Sequence, residues 1–196
     1  MKAEYNIALI LLAAGDGRRF GGNKLLYALN GKPMYRYLPD ELEAWEIDHG
    51  KPLFAKKIVV TQYEVIEADL GRRGYEVVKN TQSCLGISHS IQLGLGVLEQ
   101  EKEMAICFAV CDQPYLKAET VADFLRAWQE SGRGLGSLIA NGKPGNPAVF
   151  SHDYLEELLA LSGDIGGRRV LKAHPEDLFF WETKDERELE DLDRPG

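Results

Sequence analysis

"NIALILLAAGDGRRFGGNK" occupies Asn6 to Lys24. Its first eight residues, Asn6 to Ala13, form an apolar run without alternation, the pattern of a central strand covered on both faces. The run breaks into Gly15, Gly17, Gly21 and Gly22, and two arginines and Lys24 share the turn. Glycine lets a backbone come close to a ligand, and successive N–H groups can cradle a polyphosphate. Arg19 can neutralise such a ligand as a bidentate fork and Lys24 as a point charge. Two well-known phosphate loops do not fit. The dinucleotide fingerprint needs glycine where Phe20 stands and an acidic residue ending the second strand about 20 residues on. The ATPase-type loop is broken by Asn23 before Lys24, and Leu25 replaces its metal-binding hydroxyl. A plain glycine-rich turn leaves the three cations unexplained.

Outward from this stretch, strands alternate with helices. Lys56–Gln62, "YEVVK" and Met104–Val110 read as strands, with "GSLIA", "PAVF" and "LFFWET" as later ones. "KPMYRYLPDELEAW" reads as a helix that Pro39 breaks or bends. "EVIEADLGRRG", a segment with Ile87, Ile91, Leu95 and Leu98 at helical spacing, and "KAETVADFLRAWQES" follow as helices. "SHDYLEELLALSG" reads as a helix with a serine cap and a glycine end, and "GGRRVLKAHP" as a short one. The alternation predicts an α/β fold, three layers (α/β/α) around a mostly parallel sheet, in one domain spanning 1–196. Ligands of such sheets lie beyond the carboxyl ends of the strands, so the loops after strands are where function is sought.

The chain has 196 residues and a formal charge of -8, which argues against a nucleic-acid partner or an anionic membrane surface. Cys84, Cys107 and Cys111 are too few for a disulfide framework, and the last two read as small core residues. The longest apolar run is far shorter than the roughly 20 residues of a membrane span, and Glu4 is out of place in a secretory leader. A cytoplasmic protein is expected. His49, His89, His152 and His174 are scattered. His152 and His174 read as surface residues, and His89 as a residue that could line a site.

The loop "L-A-A-G-x-G-x-R-F-G-x-x-K" at Leu12 to Lys24 resembles the signature of the molybdenum cofactor nucleotidyltransferases, most closely the cytidylyltransferases. The related guanylyltransferases typically carry "L-A-G-G" where this chain has Leu12, Ala13, Ala14 and Gly15. Further family segments follow in order. They are "N-x-x-x-x-x-G-x-S-x-S-x-x-x-G" at Asn80, Gly86, Ser88, Ser90 and Gly94; "CDQP" at Cys111–Pro114; "GNPAVF" at 145–150; "GDIGGR" at 163–168; and "DLDRP" at 191–195. Cys111 stands where the family usually has glycine, and the tail lacks the family's usual closing helix.

The resemblance implies a Rossmann-like nucleotidyltransferase fold and transfer of CMP from CTP to molybdopterin, with release of pyrophosphate. It implies Mg2+ as cofactor, and a molybdoenzyme as a further partner that receives the product. Leu12, Ala13, Ala14, Gly15, Gly17, Arg19, Lys24, Asn80, Gly86, Ser88 and Ser90 would bind the nucleotide. Arg19, Lys24 and Asp112 would act in catalysis, with the Lys24 stem exposed in the empty protein. Asp112 and Asp193 would hold the metal, provided the tail folds back across the sheet edge. Asn146, Pro147, Asp164, Gly166 and Arg168 would hold the acceptor, although Asp164 can equally be a helix cap. GTP as donor, another small phosphorylated acceptor, or a non-catalytic cofactor-binding chaperone remain open.

Overall fold

A computed structural model describes residues 5–15, 23–98, 101 and 103–192. The first strand, β1 (Tyr5–Ala13), is the apolar run. A small hairpin of β2 (Ala28–Leu29) and β3 (Lys32–Pro33) follows. Next come α1 (Tyr37–His49), β4 (Phe54–Thr61), α2 (Glu64–Arg72), β5 (Glu76–Lys79), α3 (Ile87–Gly96) and β6 (Ala105–Val110). The second half holds α4 (Ala118–Ser131), β7 (Leu135–Ala140), β8 (Lys143–Phe150), α5 (Leu155–Leu159), α6 (Arg168–Ala173) and β9 (Leu178–Glu182). Seven strands form one sheet in the order β5-β4-β1-β6-β8-β7-β9. All neighbouring pairs are parallel except those made by β8.

β1 is buried on both faces because each face feeds its own core. Ile7, Leu9, Leu11 and Ala13 pack with Leu42 and Trp45 of α1, Ile66 and Leu70 of α2, and Phe124, Leu125 and Trp128 of α4. Ala8 and Ile10 pack on the opposite face with Ile91 and Leu95 of α3, Leu158 of α5 and Val170 of α6. The period-two alternation of Cβ directions thus splits one apolar run between two cores, giving the expected three layers. Each large side chain fully buried in this way stabilises the fold by about 1.5–3 kcal/mol. Gly94 lets α3 press onto the sheet: a Cβ there would lie 2.8 Å from Ile10 Cγ2 and 3.1 Å from Val60 Cγ2. Cys107 and Cys111 are core residues, as expected.

Several local expectations need correction. Pro39 does not break α1. It sits in the first turn, where its missing N–H leaves no hydrogen bond unmade. The helix expected after Ser151 is only five residues long, preceded by a 3-10 turn. Ser151 does not cap it, and its hydroxyl instead donates to the Asp153 carboxylate.

The route of the chain fixes a binding edge. From β1 it steps outward to β4 and β5, then returns past β1 through α3 to β6. Strand order therefore reverses beside β1, and the crevice beyond the carboxyl ends of β1 and β6 is the natural ligand site. Because β8 runs antiparallel to β6, its first half also lies at this edge. Among the described residues no helix is long and apolar enough to cross a membrane.

Candidate active site

Three consecutive carbonyls at the end of β1 are held by side chains at the end of β4. Thr61 Oγ1 donates to Ala13 O (3.0 Å), Gln62 Nε2 to Ala14 O (2.7 Å) and Tyr63 Oη to Gly15 O (2.7 Å). A trans peptide points its N–H opposite to its C=O, so these bonds turn the N–H groups of Ala14 and Gly15 away from β4. That is how a chain leaving a strand is made to present donors. Thr61, Gln62 and Tyr63 were missed in the sequence; the available signal was a polar triplet ending an apolar strand. Gly17 and Arg19 lie outside the described residues.

The network continues inward. Thr61 O accepts from Asn80 N (2.8 Å), and Asn80 Nδ2 donates to Ser90 Oγ (2.9 Å). Asn80 is fully buried, and Ser88 and Ser90 are nearly so. These residues brace the start of α3 against the ends of β4 and β1. Gly86, at φ +91°, is pressed onto the next candidate segment. A Cβ there would stand 2.4 Å from the Gly163 carbonyl, and Ser88 N donates to that same oxygen (3.2 Å).

The acceptor candidates divide between two places. Asp164, Gly166 and Arg168 sit beside the start of α3, with Asp164 and Arg168 exposed. Asp164 is not the cap of α6, because that position belongs to Gly167. Asn146 and Pro147 instead lie in an irregularity of β8, where the register with β7 shifts. Such bulges re-aim side chains at sheet edges. Beside them is a cavity of about 320 Å³ lined by Lys143, Pro144 and Gly145 and by Glu186, Arg187, Leu189 and Glu190 of the tail.

Lys24 and Asp112 meet at the switch point. Asn23 caps a 3-10 turn that begins at Lys24 by accepting from Leu25 N (3.1 Å). Lys24 Nζ lies 2.6 Å from Asp112 Oδ2, with the two side chains 17% and 19% exposed. Lys24 is therefore not the exposed side chain expected in an empty protein. Asp112 follows β6 directly, and its Oδ1 is sealed from solvent without a hydrogen-bond partner among the described residues. Beside it, burial pushes the Cys111 thiol up, and the Asp112 carboxylate pushes it further.

The tail does cross the sheet edge. Leu192 N donates to Asp112 O (3.0 Å). Gln113 Nε2 donates to Asp191 Oδ1 (3.0 Å) and Leu189 O (3.4 Å). Glu188 is buried and accepts from Lys117 N (3.1 Å) and Thr120 Oγ1 (3.0 Å), capping α4 from 71 residues away. The cap of α4 is thus not Asp112, whose carboxylate stays at the site. Asp193 lies outside the described residues. Among the described residues no three His, Cys, Asp or Glu side chains cluster as a metal site. Magnesium needs only one or two protein carboxylates when phosphate and water complete its shell. An orphaned carboxylate oxygen at the switch point fits that requirement.

His152 is half-buried, and His174 bonds to Glu157 on the surface, whose carboxylate raises its pKa. His89 is half-buried in α3.

A profile of the MobA-like NTP transferase domain matches residues 9–178. The Purine catabolism protein PucB of Bacillus subtilis (strain 168) is 28% identical over 200 residues, spanning 100% of this chain and 95% of that protein. The Probable molybdenum cofactor guanylyltransferase of Thermococcus gammatolerans is 31% identical over 63% of this chain and 57% of its own length. The chain spans only 28% of the Bifunctional protein GlmU of Exiguobacterium sibiricum, to which it is 29% identical. Rv0371c from Mycobacterium tuberculosis H37Rv shares the fold, with a TM-score of 0.73 at 20% identity over 93% of this chain and 90% of that one.

Proposed function

Since this chain belongs to the family of MobA-like NTP transferase domains, we propose that it moves a nucleotidyl group from CTP to the phosphate of molybdopterin. An acceptor phosphate oxygen attacks the α-phosphorus, the bond to the bridging oxygen breaks, and pyrophosphate leaves. The attacking oxygen is already anionic, so the protein needs no strong base. Its work is to hold two mutually repelling anions in line and screen their charge. The observation that carries this reading is the pairing of Lys24 with Asp112 at the point where strand order reverses.

In this reading the N–H groups beyond β1 receive the triphosphate, and Lys24 neutralises part of it. Asp112 would hold Mg2+, with Asp193 as a second ligand delivered by the tail. Bound there, the metal would supply charge stabilisation on the phosphate oxygens. Asn146 and Pro147, next to the tail cavity, would seat the acceptor, with Asp164, Gly166 and Arg168 on its other flank.

The choice of CTP rests on Ala14, which stands where guanylyltransferases typically carry glycine. A methyl group discriminates by about 1–3 kcal/mol. Ala14 is only 4% exposed, so its methyl would act by setting the path of the loop that follows. GTP is the second reading, favoured by relatives named molybdenum cofactor guanylyltransferases. The deciding experiment incubates the protein with molybdopterin, Mg2+ and all four nucleoside triphosphates, and weighs the products. A cytosine dinucleotide is expected. A guanine product would move the assignment to GTP, and absence of any dinucleotide would remove the transferase reading.

A further inference from the structure

We propose that Lys24 is a placeholder for the metal: its ammonium sits on the Asp112 carboxylate of the ligand-free protein and keeps divalent cations off until a nucleotide draws it away. This inference rests on the reading of Asp112 as a metal ligand and concerns the order in which that site fills.

Two observations carry it. Lys24 Nζ is 2.6 Å from Asp112 Oδ2, within charge-assisted hydrogen-bond range. The other oxygen of the same carboxylate, Oδ1, is sealed from solvent and has no hydrogen-bond partner among the described residues. A lone ammonium on one oxygen leaves this carboxylate half satisfied. Such an arrangement suits an intermediate occupant more than a permanent one, because an unmet buried acceptor carries a desolvation penalty.

A divalent ion and an ammonium on the two oxygens of one carboxylate weaken each other's binding, since like charges repel where water is scarce. Entry of the ion is therefore favoured when Lys24 leaves. The glycine-rich stretch separates Lys24 from β1, and the turn at 24–26 is held by the Asn23 cap. An anionic triphosphate lying over the end of β1 offers Lys24 a new partner. It also offers the ion the remaining oxygens of its shell. Nucleotide and metal then bind with positive coupling, and linkage requires the coupling factor to be the same in both directions.

The consequence is testable without turnover. Mn2+, a paramagnetic stand-in for Mg2+, is titrated into the full-length protein and free ion is read by electron paramagnetic resonance. Titrations are run alone, with CTP and with GTP, the Mn2+ taken up by each nucleotide without protein is measured and subtracted, and acceptor is omitted. Wild type is expected to bind Mn2+ weakly alone and at least about tenfold more tightly with its nucleotide, within the usual range of such couplings. Lys24→Met should tighten Mn2+ binding to the nucleotide-free protein by at least about fivefold. Lys117→Met removes an equal charge from a lysine paired elsewhere, with Glu41, and should change it less than twofold. Lys24→Gln repeats the test if the Met variant fails to fold by circular dichroism. Unchanged or weaker nucleotide-free binding in both Lys24 variants would overturn the placeholder role. So would wild-type affinity that is equal with and without nucleotide. Asp112→Asn separates this from the underlying reading. If that variant, with nucleotide present, binds Mn2+ beyond what the nucleotide alone takes up as tightly as wild type does, the metal assignment itself falls.

Discussion

Asp112 meets three different environments at one residue. Its backbone carbonyl is taken by the tail, one carboxylate oxygen by Lys24, and the other is unmet. Asp112→Asn keeps the shape and weakens the ion pair, at an expected cost of about 1 kcal/mol, or about 2–4 °C in Tm for a chain of this size. Turnover dependent on Mg2+ should be lost entirely. Near-normal rates in the mutant at saturating Mg2+ would take the metal away from Asp112. A second residue, Asp69, shows the opposite balance. Burial pushes its carboxyl upward, but hydrogen bonds from Arg36 (2.9 and 2.8 Å) and Tyr35 (2.9 Å) outweigh this and hold it below the ordinary carboxylate range. A carboxyl depressed by folding adds stability above its unfolded pKa, about 3.9, and loses it as pH falls through the folded value. Arg36 is 42% exposed, which limits the gain. Asp69→Asn should therefore be less stable than wild type near pH 7. The two proteins should converge in urea melts as pH falls below the folded pKa of Asp69, and a gap that persists in acid would show that packing, not charge, is what Asp69 contributes.

Elements were largely legible because their signals are local. β1, β4 and β6 stand out as apolar runs. α4 stands out by Val121, Leu125 and Trp128 at helical spacing, all buried in the structure. Pro39 was misread because a first-turn proline and an interior proline look alike until the helix start is known. The short α5 was misread because Ser151 and Gly163 mimic caps that the backbone does not use. Contacts between distant elements carry no such local signal. Nothing near α4 announces Glu188 as its cap, and Lys117, at the N-cap position, supplies no side-chain capping bond. Replacing Glu188 by alanine should cost about 1–2 kcal/mol, the usual worth of a cap, and raise hydrogen exchange in the first turn of α4. An unchanged urea midpoint would mean that another group takes over the cap. Gly86 is the sharper case. At φ +91° with a Cβ facing the Gly163 carbonyl at 2.4 Å, alanine is both strained and obstructed. Gly86→Ala should destabilise by about 1–3 kcal/mol and separate the start of α3 from the 163–168 segment. Tolerance of alanine, shown by an unmoved melting curve, would mean that the two segments do not meet this closely in solution.

At the scale of the molecule, the sheet is two halves that meet at Asp112. β5, β4 and β1 are parallel and carry the glycine-rich stretch, while β8, β7 and β9 form a mixed half that carries the β8 irregularity and the tail cavity. The tail returns from β9 to the end of β6 and ties the halves through Leu192, Gln113 and Glu188. This closure could be stated from sequence only as a condition, since a strap made of backbone bonds leaves no mark on residue type. The motifs at Lys24 and Asp112 were legible because charged groups directly after buried strands have few structural reasons to be there. A site built at such a junction should stabilise the whole fold when filled. For a ligand that binds only the native state, the gain is about 2.7 kcal/mol at a hundredfold excess over its Kd. At roughly 2–4 °C per kcal/mol for this chain length, CTP with Mg2+ should raise Tm by about 5–10 °C. The formal charge of -8 opposes a polyanion at long range. CTP without Mg2+ should accordingly give a smaller shift, one that grows as salt screens the repulsion. Asp112→Asn should erase the added effect of Mg2+ while keeping the metal-free shift. Equal shifts with and without Mg2+ in wild type would show that nucleotide binds this edge without a metal, and would leave Lys24 and the backbone donors beyond β1 to carry the triphosphate alone.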